Sequence, residues 1–201
     1  MNIVCLDLEG VLVPEIWIAF SQASGLSQLS RTTRDEPDYD KLMRFRLDIL
    51  KKNNLKLHDI KKVISEIQPL PGAVDFTRKL REKTQLIILS DTFEQFAKPL
   101  MEKLSWPALF CNSLVIDENN NVTNYLLRQK NGKKEAVKAF KSINLRVFAC
   151  GDAFNDLAMI READGGCLFR APQVIRDEYS DIKCHDSYDD LLNAIEEFLA
   201  S

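Results

Sequence analysis

The chain has 201 residues and a mass of 23.0 kDa, enough for one α/β domain with a small insertion. Hydrophobic residues make up 45% and charged residues 28%, which excludes a disordered or fibrous chain. With 27 Lys and Arg against 30 Asp and Glu the net charge is −3, so the basic surface that nucleic-acid binding requires is missing.

The first apolar run, Ile3, Val4, Cys5 and Leu6, ends in acids and Gly10, the pattern of a doubly buried parallel strand feeding a loop. That rhythm then stops. Helical patterns over 16–23, 39–52 and 57–67 follow with no plausible strand among them, which predicts a helical cap over 14–69 inserted into a core made of 1–13 and 70–201. Pro69-Leu70-Pro71-Gly72 marks the return to the core, with Pro71 near the start of a helix reaching about residue 82. Leu86, Ile87, Ile88 and Leu89 repeat the buried-strand pattern before Ser90-Asp91-Thr92, and an amphipathic segment follows near 93–104. Two β-like runs, 114–117 and 122–127, flank an Asn-rich turn and predict a hairpin at the sheet edge. A third buried run, Val147, Phe148, Ala149 and Cys150, precedes Gly151-Asp152 and an amphipathic segment near 154–163. Ser187 and the acids after it introduce a closing helix. Strand-helix alternation of this kind predicts an α/β fold, a parallel sheet with helices on both faces.

Cys5, Cys111, Cys150, Cys167 and Cys184 form an odd, scattered set without a C-x-x-C pair, which reads as buried free thiols. His58 and His185 are expected at the surface. The N-terminus has no basic stretch and no apolar run approaches the roughly 18 residues of a membrane span, so a cytoplasmic protein without membrane contact is expected.

In an open parallel sheet, ligands bind beyond the carboxyl ends of the strands. Asp7-Leu8-Glu9-Gly10 places two carboxylates two residues apart on an extended segment, where one can attack and the other move protons; a polar strand-end turn explains the same residues equally well. Gly151-Asp152-Ala153-Phe154-Asn155-Asp156 carries two acids and an amide across a strand-to-helix junction, for which helix capping is the plainer alternative. Oxygen ligands of this sort suit Mg²⁺. Ser90 and the N–H groups after it could hold a phosphate oxygen. Lys133 opens a helix within a basic run over 128–135 that a solvated surface would also explain.

Taken in chain order, Asp-x-Glu-Gly, a strand-end Ser, a helix-start Lys and Gly-Asp-x-x-Asn-Asp resemble the four motifs of the haloacid dehalogenase superfamily of phosphotransferases, over about residues 1–170. The resemblance implies a Rossmann-like sheet, and the helical insertion is similar to the cap of the phosphoserine phosphatase branch. The stretch from Asp7 through Val11, Leu12, Val13 and Pro14 to Glu15, with Leu89-Ser90-Asp91-Thr92-Phe93, looks like the subgroup that acts both as phosphoserine phosphatase and as phosphoserine:homoserine phosphotransferase. By that resemblance Asp7 is nucleophile and metal ligand, and Glu9 is the general acid/base and binds metal through its carbonyl. Asp152 is the third Mg²⁺ ligand, and Asp156 supports the metal shell. Ser90, Asp91 and Lys133 lie at the phosphoryl group and Asn155 contacts substrate, with Lys130 and Lys134 as competing neighbours of Lys133. Glu15 would pair with the substrate ammonium and Arg46 with its carboxylate, whereas Arg44 points to another helix face. The implied partners are phosphoserine with water or homoserine as acceptor, and the resemblance also allows a homodimer. Glu9 and Asp91 depart from ordinary phosphoserine phosphatases, which carry Asp and glycine there, so plain hydrolysis is not assured. Two alternatives remain: a phosphatase for another small phosphorylated metabolite, and a receiver-like phosphoacceptor module, whose acceptor Asp follows a later strand and which has no cap.

Overall fold

The structure, a computed structural model, describes residues 1–33, 35–36 and 38–201. β1 (Asn2–Leu6) lies at the centre of the sheet, flanked in parallel by β2 (Gln85–Phe93) and β5 (Arg146–Gly151). β6 (Gly165–Phe169) and β7 (Cys184–His185) extend the β5 side in parallel. β3 (Ala108–Ile116) pairs in parallel with β2, then turns into an antiparallel hairpin with β4 (Val122–Leu126), giving the order β4-β3-β2-β1-β5-β6-β7 among the described residues.

The central strands are apolar throughout because both of their faces are covered. Val4 and Leu6 of β1, Ile88 of β2 and Phe148 and Cys150 of β5 point into one buried cluster; Ile3, Cys5, Leu89, Val147 and Ala149 point into the other. The first cluster is closed by α4 (Ala73–Arg81), α5 (Glu94–Lys103) and α9 (Tyr188–Ala200) through Phe76, Leu80, Phe96, Leu100, Leu191 and Ile195. The second is closed by α6 (Gly132–Ser142), α7 (Leu157–Glu162) and α8 (Gln173–Glu178) through Ala136, Val137, Met159, Ile160 and Ile175. The expected two-faced parallel sheet is therefore present. Ser187 introduces α9 as expected, its Oγ accepting from the Asp190 N–H at 3.1 Å.

Between β1 and α4 the chain forms α1 (Ile16–Ser24), a 3₁₀ turn over Ser27–Ser30, α2 (Tyr39–Lys52) and α3 (Leu57–Glu66). Phe20, Leu29, Met43 and Ile60 from these elements merge with the apolar cluster that contains Val4 and Leu6.

Several expectations need correction. Ser90 does not close the second strand, because Thr92 and Phe93 are themselves buried and keep the chain extended to Phe93; the pairing with β3 shifts register between Leu89 and Phe93. β3 begins well before the predicted hairpin. The segment near 154–163 is a 3₁₀ turn over Phe154–Asp156 followed by the short α7, not one amphipathic helix. His185 is half-buried in β7, with its Nε2 buried and lacking a hydrogen-bond partner among the described residues, whereas His58 is exposed as expected. All five cysteines are free, but only Cys5, Cys150 and Cys167 are fully buried. Among the described residues no helix is long and apolar enough to cross a membrane.

Candidate active site

The carboxyl ends of β1, β2 and β5 and the start of α6 converge on one buried cluster of charge. Asp7 follows β1 directly and donates its N–H to the Cys150 carbonyl of β5 at 3.0 Å, which fixes it to the neighbouring strand. Its Oδ1 accepts from the Leu8 N–H at 2.7 Å and its Oδ2 lies 2.9 Å from Lys133 Nζ. Asp7, Lys133, Asp152 and Asp156 are all buried, with exposures of 5%, 6%, 8% and 0%.

Asp156 organises this cluster. Its Oδ1 accepts from Lys133 Nζ at 2.7 Å, and its Oδ2 accepts from the N–H groups of Asp152 and Ala153, both at 3.0 Å. The turn after β5 is thus tied to the lysine, and Gly151 makes it possible: a Cβ there would come within 2.1 Å of the Asp156 carboxyl carbon. Gly10 is needed for a similar reason, having φ of +77° and space so tight that a Cβ would meet the Asp152 carboxyl carbon at 2.4 Å. Lys133 is singled out from its neighbours, since Lys130 is exposed and Lys134 leans towards Glu162 at 3.8 Å.

Burial and the negative charges of Asp156 and Asp152 push the Asp7 carboxyl well above its ordinary range, with Lys133 pulling it down. Burial also opposes the Lys133 ammonium, but Asp156, Asp7 and Asp91 outweigh it and keep its pKa well above the ordinary lysine value. Oxygen atoms of Asp7, Asp152 and Asp156 lie within 4.8 Å of one another. Three buried carboxylates facing one ammonium leave an excess of negative charge on hard oxygen donors, which fits a divalent cation of the Mg²⁺ type.

Glu9 lies two residues beyond Asp7, beside Glu15 and Arg46. Its Oε2 accepts from the Ile16 N–H at 2.8 Å, so the carboxyl also anchors the start of α1. Burial first, then the neighbouring Glu15, pushes its pKa up to about 8. Arg46 of α2 is 6% exposed and stacks on Trp17 with its guanidinium carbon 4.6 Å from the ring centre. It donates Nη2–H to the Arg31 carbonyl at 2.8 Å, while its Nε is buried and has no hydrogen-bond partner among the described residues. Burial lowers its pKa to about 10, against the charges of Glu9 and Glu15 that help to keep it protonated. Arg44, by contrast, is exposed and paired with Asp40 at 2.7 Å.

The second strand supplies Ser90, which is buried and whose Oγ accepts from the Thr92 N–H at 3.2 Å. Asp91 is exposed; its Oδ2 accepts from Asn155 Nδ2 at 2.8 Å and lies 3.9 Å from Lys133 Nζ. Of the residues singled out from the sequence, Asp7, Asp91, Lys133, Asp152, Asn155 and Asp156 are joined by these contacts, and Glu9 lies beside Glu15 and Arg46. Two further residues escaped the sequence reading: the hydroxyl of Tyr39 and Nδ2 of Asn112 both donate to the Asp91 carbonyl, at 3.3 and 3.1 Å. A lone Tyr at a helix start carries no signal, but a polar Asn between β-forming neighbours does.

Comparison with known proteins identifies the family. A model of the haloacid dehalogenase-like hydrolases matches residues 1–164. The phosphoserine phosphatase ThrH of Pseudomonas aeruginosa is 52% identical over 191 residues, covering 95% of this chain and 93% of that protein. A phosphoserine phosphatase of Pseudomonas syringae pv. tomato is 51% identical over 191 residues, covering 95% of this chain and 81% of that protein. Among solved structures, a phospho-aspartyl intermediate analogue of phosphoserine phosphatase superposes with a TM-score of 0.79 at 19% identity, covering 96% of this chain and 97% of that one. A substrate-bound phosphoserine phosphatase does so with a TM-score of 0.77 at 19% identity, covering 98% and 97%. At that identity the superpositions establish the fold alone. The chain belongs to the haloacid dehalogenase-like hydrolases, which removes the receiver-like alternative. It is therefore a hydrolase of the phosphomonoester-cleaving kind.

Proposed function

We propose that the protein hydrolyses phosphoserine through an aspartyl-phosphate on Asp7, and also passes that phosphoryl group to homoserine. The observation that carries this reading is Lys133 Nζ held between Asp7 and Asp156, at 2.9 and 2.7 Å, at the carboxyl end of β1. Identity of 52% to a phosphatase named for phosphoserine supports the substrate.

In the first displacement an Asp7 oxygen attacks phosphorus, the bond to the serine oxygen breaks, and Glu9 gives that oxygen its proton. Burial and the neighbouring Glu15 raise the Glu9 pKa, which favours the protonated form that this step needs. In the second, Glu9 takes a proton from water or from the homoserine hydroxyl, the freed oxygen attacks phosphorus, and Asp7 returns to a carboxylate. Lys133 and Ser90 hold phosphoryl oxygens, with Asn155 and Asp91 at the rim. Asp7, Asp152 and the Glu9 carbonyl would hold Mg²⁺, supported by Asp156, and the ion would supply charge stabilisation for the transferring group.

The helical insertion over 14–69 acts as the cap that reads the substrate. Arg46 Nε, which has no hydrogen-bond partner among the described residues, suits a carboxylate, and Glu15 suits an ammonium. Homoserine keeps both groups and is one methylene longer than serine, so one clamp can hold donor and acceptor in turn. Incubation with phosphoserine and Mg²⁺ should release serine and phosphate, and excess homoserine should divert phosphate into phosphohomoserine. Absence of phosphate release overturns the phosphatase; serine and phosphate appearing one for one at saturating homoserine overturns the transfer.

A further inference from the structure

The β3–β4 hairpin reaches the helical insertion at two places outside the chemistry described above. Its turn is built on Asp117, whose Oδ1 accepts from the N–H groups of Asn119 and Asn121 at 2.9 and 2.8 Å. Asp117 also accepts the Asn120 N–H on its carbonyl at 3.0 Å, which holds Asn120 in the left-handed region with φ of 66°. Asn120 thereby faces the start of α3. Its carbonyl accepts from the Leu57 N–H at 3.0 Å and its Oδ1 from the His58 N–H at 3.0 Å. The residue that precedes α3 is Lys56, whose ammonium has no acceptor to offer. The first two N–H groups of this helix, those of Leu57 and His58, are therefore satisfied from another part of the chain, while those of Asp59 and Ile60 reach the Lys56 carbonyl.

The second contact is made by Tyr125 of β4. Its hydroxyl donates to Asp40 Oδ1 at 2.6 Å, and its ring meets Tyr39 edge-on with centroids 5.8 Å apart. Both partners belong to the first turn of α2. Tyr39 in turn donates to the Asp91 carbonyl, the same oxygen that Asn112 of β3 reaches from the base of the hairpin. One hairpin thus touches the rim of the site and α2 near its base, and α3 at its turn.

We propose that this hairpin is the strut that holds the inserted helices over the site, with Asn120 and Tyr125 as positioning residues. The proposal rests on reading 14–69 as the substrate-reading cap. A substrate held by Glu15 and Arg46 needs the inserted helices in place over the site, so its apparent affinity falls with the fraction of molecules that have them there. A small aryl phosphate, held only through its phosphoryl group, does not depend on that fraction.

Asn120→Gly keeps the left-handed backbone and deletes the side-chain acceptor; Tyr125→Phe keeps the ring and deletes the hydroxyl. The double variant should raise KM for phosphoserine at least about fivefold, the scale of two lost hydrogen bonds. Its kcat for an aryl phosphate should stay within about twofold. Amide exchange over 39–66 should quicken while β5 is unchanged. Asn120→Asp, which restores an acceptor beside the helix N-terminus, should recover the wild-type KM when paired with native Tyr125. An unchanged KM, or equal losses on both substrates, would overturn the strut. Should the wild type fail to hydrolyse phosphoserine, the functional reading falls by itself, and exchange decides the strut: unaltered rates over 39–66 in the double variant would end it.

Discussion

Asp7 has one neighbour that favours its charge and several influences that oppose it. Lys133 stabilises the carboxylate, while burial, Asp156 and Asp152 work against it. Asp7→Asn keeps the shape and the Leu8 contact but removes the attacking oxygen. It should lower turnover by at least about three decades with the fold intact by circular dichroism; near-normal turnover in a folded variant would contradict the role given to Asp7. The two arginines of α2 separate substrate reading from surface charge. Arg46→Ala should raise KM for phosphoserine by the equivalent of about 1.5–3 kcal/mol while barely affecting an aryl phosphate, and Arg44→Ala should be mild with both. Steady-state kinetics of the pair, with each substrate, checks this. Asp7, Asp152, Ser90 and Lys133 were legible because their order along the chain is distinctive. The choice of Lys133 over Lys130 and Lys134 needed side-chain direction, and so did the burial of Arg46 against Trp17, which no spacing rule contains.

The loops after β1 and β5 depend on absent side chains. A Cβ on Gly10 would meet the Asp152 carboxyl while holding φ at +77°. Gly10→Ala should therefore cost about 1–2 kcal/mol from backbone conformation alone and displace Asp152. The expected readout is a lower melting temperature together with at least a tenfold loss of kcat/KM, about 1.4 kcal/mol in the barrier; a fully active variant would show the loop to be slack. Glycine also explains what the sequence concealed. β6 opens with Gly165 and Gly166, poor strand formers, because Phe198 and the Ala149 carbonyl occupy the space that side chains would need. β7 has only two residues and no pattern to read. The strands around β1 were legible because doubly buried parallel strands are continuous apolar runs, whereas β3 is broken at its middle by Asn112 and Ser113 and its first half is only partly buried.

The inserted helices and the sheet share one apolar cluster, in which Phe20, Met43 and Ile60 pack with Val4 and Leu6. The site therefore sits on a prebuilt frame, and removal of a bound cation should silence the enzyme without unfolding it. EDTA should abolish phosphoserine turnover and Mg²⁺ restore it, while circular dichroism stays unchanged; full activity after exhaustive chelation would contradict the cation site. The central claim is that phosphate passes through Asp7. It is tested most directly by acid-quenching the enzyme during turnover of phosphoserine and locating any protein-bound phosphate by mass spectrometry. The account predicts an acid-stable, hydroxylamine-labile phosphate on Asp7. Turnover with no phosphorylated peptide, or with the phosphate on another residue, would contradict it.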